Sequence, residues 1–159
     1  MTKKNNNEII EYYDDDNVRL KSVYDSNNKL ITQISYSRNG NKNREVRKFS
    51  DSTYILENYH LYGFRKDSCI SNIKGNCIDE ITRFYSGTDN ILEIVKLKKQ
   101  EYNGKYLKFH VNGNIAKKGN FIYGEKTGEF LYYTENGKIL QKEYWKNDSL
   151  VSKQYLGNN

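Results

Sequence analysis

The chain of 159 residues contains no proline, so no segment reads as a proline-rich linker. It has two cysteines, Cys69 and Cys77, eight residues apart and without metal-ligand spacing. A single disulfide is possible if the two face each other on adjacent strands, but free thiols are the expected state. No run of about 18 apolar residues occurs, so no transmembrane helix is expected. Met1 to Glu8 is polar and lacks the apolar stretch of a signal peptide, which predicts a cytoplasmic protein. Only 36% of residues are hydrophobic and mean hydropathy is -0.96, a thin supply for a three-layer core.

Tyrosine is abundant. Fifteen of the residues are Tyr, and aromatics make up 14%. A tyrosine buries a large ring while keeping a wet hydroxyl, which suits a fold with much two-sided surface. The 26 basic residues exceed the 20 acidic ones, giving a net charge of +6. Lys96, Lys98, Lys99 and Lys105 are the densest patch. The excess is modest and dispersed. It fits solvated lysines on strand faces and edges better than a nucleic-acid or anionic-membrane partner.

The chain repeats itself. Asn103–Tyr123 aligns with Thr127–Asn147 at a constant offset of 24: Gly104 with Gly128, Tyr106 with Phe130, Asn112-Gly113 with Asn136-Gly137, Phe121 with Trp145. One step earlier Tyr85, Ile91 and Leu97 fit the same frame, with Asp89-Asn90 replacing Asn-Gly. Tyr24, Leu30, Tyr36 and Asn39-Gly40 share its internal spacing. Asn-Gly is the strongest short hairpin signal, because both residues tolerate positive φ. Its flanks, such as Phe130-Leu-Tyr-Tyr133, favour strands. No 3.6-residue apolar period appears. The predicted fold is therefore all-β: an elongated single antiparallel sheet of stacked hairpins, with ten or eleven strands and a period of about 24 residues. Residues 1–10 read as a polar tail and 11–157 as one array, irregular at 41–79 where the register slips.

The pattern G-x-[YF]-L-x-[YF]-x-x-N-G-x-I, with Tyr or Trp in the second strand and a G-x-K-x-G-like link, resembles the MORN repeat. It is more similar to the variant found in bacterial antitoxin or immunity-like proteins. The match is good over 103–148, fair over 13–40 and 80–102, and poor over 41–79. The resemblance implies a meandering sheet and a role in protein–protein contact, with no catalytic residues to carry over.

Several segments imitate active chemistry. Gly119 to Thr127 resembles a phosphate loop, but Glu125 is inserted before Lys126 and no helix should follow. His60 and His110 stand without ligand-spaced partners, so no metal and no cofactor are expected. Asp14, Asp15 and Asp16 fall in a turn of the alignment, where solvated Asp is ordinary. An enzyme hidden in the irregular middle would need His60 with an acid or thiol, and Ser68-Cys69 lies nearby in sequence.

The aromatic faces are the stronger lead. By strand alternation one face carries Leu107, Phe109, Leu131 and Tyr133, the expected packed side. The other carries Tyr106, Lys108, Phe130 and Tyr132, an aromatic stripe mixed with lysine and the expected partner-binding surface. The sequence thus points to a non-enzymatic interaction module, an antitoxin or immunity-type protein binding a protein partner such as a toxin. A membrane-apposed scaffold binding anionic lipid head groups is the alternative.

Overall fold

A computed structural model of the chain describes residues 1–5 and 7–156; position 157, the expected end of the array, lies outside them. It is all-β, with no helix among the described residues. The strands are β1 (Thr2–Asn5), β2 (Glu8–Tyr12), β3 (Val18–Tyr24), β4 (Leu30–Tyr36), β5 (Lys42–Lys48), β6 (Thr53–Tyr59) and β7 (Arg65–Asn72). They continue as β8 (Cys77–Phe84), β9 (Ile91–Lys98), β10 (Glu101–Phe109), β11 (Ile115–Ile122), β12 (Glu125–Tyr133), β13 (Ile139–Lys146) and β14 (Ser149–Tyr155). All 14 lie in one antiparallel sheet in chain order, the expected meander of hairpins. The count exceeds ten or eleven, and part of the excess is β1 and the start of β2, which lie in the expected tail. The stretch 41–79, expected to be irregular, holds β5, β6, β7 and the start of β8. There the links change length, as at Phe49–Thr53, so the copies slip in sequence while the strands still pair.

From β9 onward two turn chemistries alternate. At the Asn-Gly positions only the glycine is left-handed: Gly113 has φ +87° and Gly137 +81°. His110 N–H bonds Asn114 O at 2.8 Å and Gly113 N–H bonds His110 O at 2.9 Å. That is a type I turn closed by a left-handed bulge residue. The two-residue turns with positive φ at both positions occur instead at Lys99-Gln100, Tyr123-Gly124 and Asn147-Asp148. Gly124 and Lys126 of the phosphate-loop look-alike thus belong to a β11–β12 hairpin with no helix N-terminus behind it. In the Asp14–Asp16 turn, Asp16 has φ 61° and Asp15 accepts from Asn17 N–H at 3.3 Å.

The chain divides into two compact units, residues 1–76 with 86–88, and residues 77–85 with 89–159. In the first unit, Ser22, Gln33, Val46, Leu56 and Cys69 form one cross-strand row. Tyr54, Leu56, Cys69 and Ser71 of this face are buried. The opposite face buries Glu45 and Glu57. Lys42 reaches Glu45 at 2.7 Å, Arg47 reaches Glu57 at 3.0 Å, and the Tyr59 hydroxyl lies 3.1 Å from Glu57. Burial and the charges of Glu57 and Glu45 hold that hydroxyl protonated well beyond the ordinary phenol range.

Neither cysteine is a free thiol: Cys69 and Cys77 are both disulfide-bonded. The expectation of free thiols rests on cellular compartment alone, which does not decide pairing within a fold. The disulfide bonding also leaves His60 without a thiol, since His60 sits at the mouth of the β6–β7 turn and Cys69 is committed.

Candidate binding face

In the second unit strand pairing aligns two rows across one face. The first runs Ile81, Val95, Tyr106, Gly119, and continues through Phe130 and Glu143 to Lys153. The second runs Arg83, Glu93, Lys108, Lys117, Tyr132, Gln141 and Tyr155. The four residues expected to bind a partner, Tyr106, Lys108, Phe130 and Tyr132, are therefore brought together on one face.

Their exposure is not the one expected. Tyr106 is 9% exposed and Phe130 0%, and with Val95 they form the core of this unit. Tyr102, Phe121, Tyr132 and Trp145 pack around them. Leu107, Phe109 and Tyr133 of the expected packed face are only half-buried, although Leu131 is buried. The stripe is thus packed rather than presented. Its rings meet edge to face: Tyr106 to Phe121 at 5.5 Å, Phe121 to Phe130 at 5.7 Å, Phe130 to Trp145 at 6.5 Å. Alternation along a strand gives the parity of the faces but not which one is covered. Gly119 decides it. A methyl group there would lie 2.3 Å from the Phe130 ring, so the bare backbone of β11 makes room for that ring. A glycine in a strand interior is the sequence signal for this close approach.

Two carboxylates anchor the aromatics. The Tyr106 hydroxyl donates to Glu93 at 3.0 Å, and Glu93 also pairs with Arg83. Glu143 accepts from the Tyr132 hydroxyl at 2.5 Å, from Trp145 Nε1 at 3.0 Å and from Gln141 at 2.6 Å, with Lys153 at 3.7 Å. Burial opposes ionisation of Glu143. The bonds from Tyr132 and Trp145 and the charges of Lys153 and Lys117 more than offset it, so its carboxyl titrates below the usual range. A depressed folded value means that stability is fully present above the unfolded pKa, about 4.3. It is lost as pH falls through the lower folded value. Glu143→Ala should cost about 1–3 kcal/mol at neutral pH, because Tyr132 and Trp145 lose their acceptor. The difference from wild type should shrink below pH ~4. Urea midpoints taken from pH 3 to 7 check both; a constant difference across that range would contradict the assignment.

The upper layer of this face is cationic. Lys117 Nζ stands 4.7 Å from the Tyr132 ring centre, 5.2 Å from Phe130 and 5.9 Å from Tyr106. Lys126 Nζ stands 4.1 Å from Trp145. Lys108 lies beside Lys117 in the cross-strand row. None of the three makes an ion pair among the described residues. Burial, then Lys126 and Lys108, pull the Lys117 ammonium below its ordinary range, and Glu143 opposes them. An approaching carboxylate would offset the repulsion among these cations. The second histidine is structural, because His110 Nε2 lies 3.0 Å from Tyr133 O in the neighbouring hairpin. No group of three His, Cys, Asp or Glu side chains suited to a metal occurs among the described residues, and no helix of the structure is long and apolar enough to cross a membrane. Neither a protein-family model nor a curated protein matches the chain.

Proposed function

We propose that the chain is a non-enzymatic protein-interaction module that engages an acidic segment of a protein partner through the lysine-topped aromatic face of its second unit. One observation carries this reading: Lys117 and Lys126 stand over a packed aromatic floor, with Lys108 beside Lys117, and none of the three makes an ion pair among the described residues. The floor is rigid, so the ammonium groups are held in place before binding, which lowers the ordering cost. The aromatic stripe contributes in two layers. Tyr106 and Phe130 support the surface from below, while Lys108, Lys117 and the rim of Tyr132 meet the partner.

The narrower reading, an antitoxin or immunity-type protein, is supported by the resemblance of the repeat. The cytoplasmic placement is tested by the cysteines, because disulfides are rare there. Alkylation in intact cells that finds Cys69 and Cys77 oxidised would move the protein to an oxidising compartment.

The test is capture of partners from the native cell by wild-type protein and by a Lys117→Gln/Lys126→Gln variant, with cross-linking to map the contact. Removing two charge-assisted contacts should weaken capture at least about tenfold. The melting temperature should stay within a few degrees. Cross-links should join the remaining lysines of the face to Asp- or Glu-rich partner segments. Undiminished capture by the variant, or binding only to anionic vesicles, overturns the reading.

A further inference from the structure

A groove of about 540 Å³ opens on the first unit, over the face that carries the buried residues Tyr54 and Ser71. Its position follows from a small side chain in the rows. Ser71 occupies a place where a larger residue would fill the space above the sheet. The polar groups of this floor are already satisfied. Gln33 Nε2 donates to Ser22 Oγ at 3.0 Å, and Ser71 Oγ donates to Tyr54 O at 3.4 Å. The polar floor therefore asks nothing of a ligand. The demand comes from the walls.

Three cations line the groove, Lys29, Arg44 and Lys74, against one carboxylate, Asp51. Asp51 is engaged elsewhere, 3.3 Å from Lys48 Nζ. None of the three cations makes an ion pair among the described residues. The guanidinium of Arg44 lies across the backbone of Gly75, so closely that a methyl group there would sit 2.7 Å from Arg44 Nη2. Gly75 also has φ +78°. The turn thus requires glycine for its own conformation and, in using it, leaves the guanidinium a seat. Between the cations the lining is apolar, with Leu30, Val46 and the ring of Tyr54.

We propose that this groove is a second docking site, which takes a protein segment carrying both acidic and aliphatic side chains. A bare anion would use the cations and waste the apolar lining. An aliphatic segment would leave the cations unpaired. An acidic–aliphatic segment satisfies both, with a carboxylate set against the planar fork of Arg44. The protein nature of the occupant rests on the interaction-module reading, but the site belongs to the other unit and stands or falls by itself.

The full chain, labelled with ¹⁵N, is titrated with the acetylated and amidated peptide Glu-Leu-Glu-Leu-Glu. Amide shifts are expected at Arg44, Val46 and Ser71. The Gln-Leu-Gln-Leu-Gln peptide should leave those amides in place. The variant Arg44→Gln/Lys74→Gln should bind the acidic peptide at least about tenfold more weakly, with Lys29→Gln as an independent second variant. All three positions are half-buried at most, and an unchanged melting temperature confirms the fold of each variant. Shifts confined to Lys117 and Tyr132 overturn the groove and leave the proposed function standing. Equal response to free glutamate, equal binding by both variants, or no shift at all also overturns it. Groove shifts together with undiminished partner capture by the Lys117→Gln/Lys126→Gln protein would reject the second-unit face alone.

Discussion

Phe130→Ala is expected to destabilise the protein by about 3–5 kcal/mol, the range for deleting a fully buried aromatic ring. Phe130 has no exposed surface and touches rings on both sides, Phe121 and Trp145. Domains of this size are stable by about 5–15 kcal/mol, so the loss would be a large share of the total. Urea denaturation should show a much lower midpoint, and the near-ultraviolet signal of Trp145 should weaken as its edge-to-face neighbour goes. The result also separates two pictures of the same residue. On an exposed stripe, Phe130→Ala would change stability by less than about 0.5 kcal/mol and act on binding alone. A stability change that small would return Phe130 to the surface.

Gly119→Ala is expected to have the opposite sign from the usual glycine replacement. Alanine in a strand interior normally stabilises by roughly 0.5–1 kcal/mol, because it restricts the unfolded chain. Gly119 does not have a positive φ, so the backbone alone would allow it. The added methyl group would lie 2.3 Å from Phe130 Cδ1, against a ring held by its neighbours. Overpacking of this kind costs about 1–3 kcal/mol and occasionally more. The two substitutions should not be additive. In a Phe130→Ala background the methyl group meets empty space, so Gly119→Ala should become neutral or stabilising, with a coupling of about 1–3 kcal/mol. Additive effects in denaturant would show that the ring does not rest on this glycine.

The hairpin array is legible in the sequence because its signals are local and periodic. The 24-residue offset of Gly104 and Gly128, or of Phe121 and Trp145, reflects turns and strands that repeat in place. The middle is hidden because register lives in pairing, and a link that changes by one residue breaks the alignment without breaking the ladder. β5 and β6 still pair from Arg44–Asn58 to Lys48–Tyr54. The turn geometry escapes for a related reason. Asn-Gly suggests two left-handed residues, whereas Lys99, Gln100 and Tyr123 adopt that conformation without any favourable residue type to announce it. The candidate face is half legible. Alternation finds its members, but their burial depends on what lies across two neighbouring strands. The groove is not legible at all, since Arg44 and Gly75 are distant in sequence and meet only after folding.

Five ties between turns share one feature. Tyr13 donates to Tyr36 O at 2.8 Å, Tyr85 donates to Phe109 O at 2.7 Å, and His110 reaches Tyr133 O. Asn41 and Asn114 do the same to Leu61 O and Glu135 O. In these five ties every acceptor is a main-chain carbonyl, which any residue type supplies, whereas Arg38 grips Asp15 and the Lys126 N–H grips Asp148 through side-chain oxygens. Through those five ties a donor hairpin places no requirement on the side-chain identity of the hairpin it grips. A change of residue at those acceptor positions then costs little.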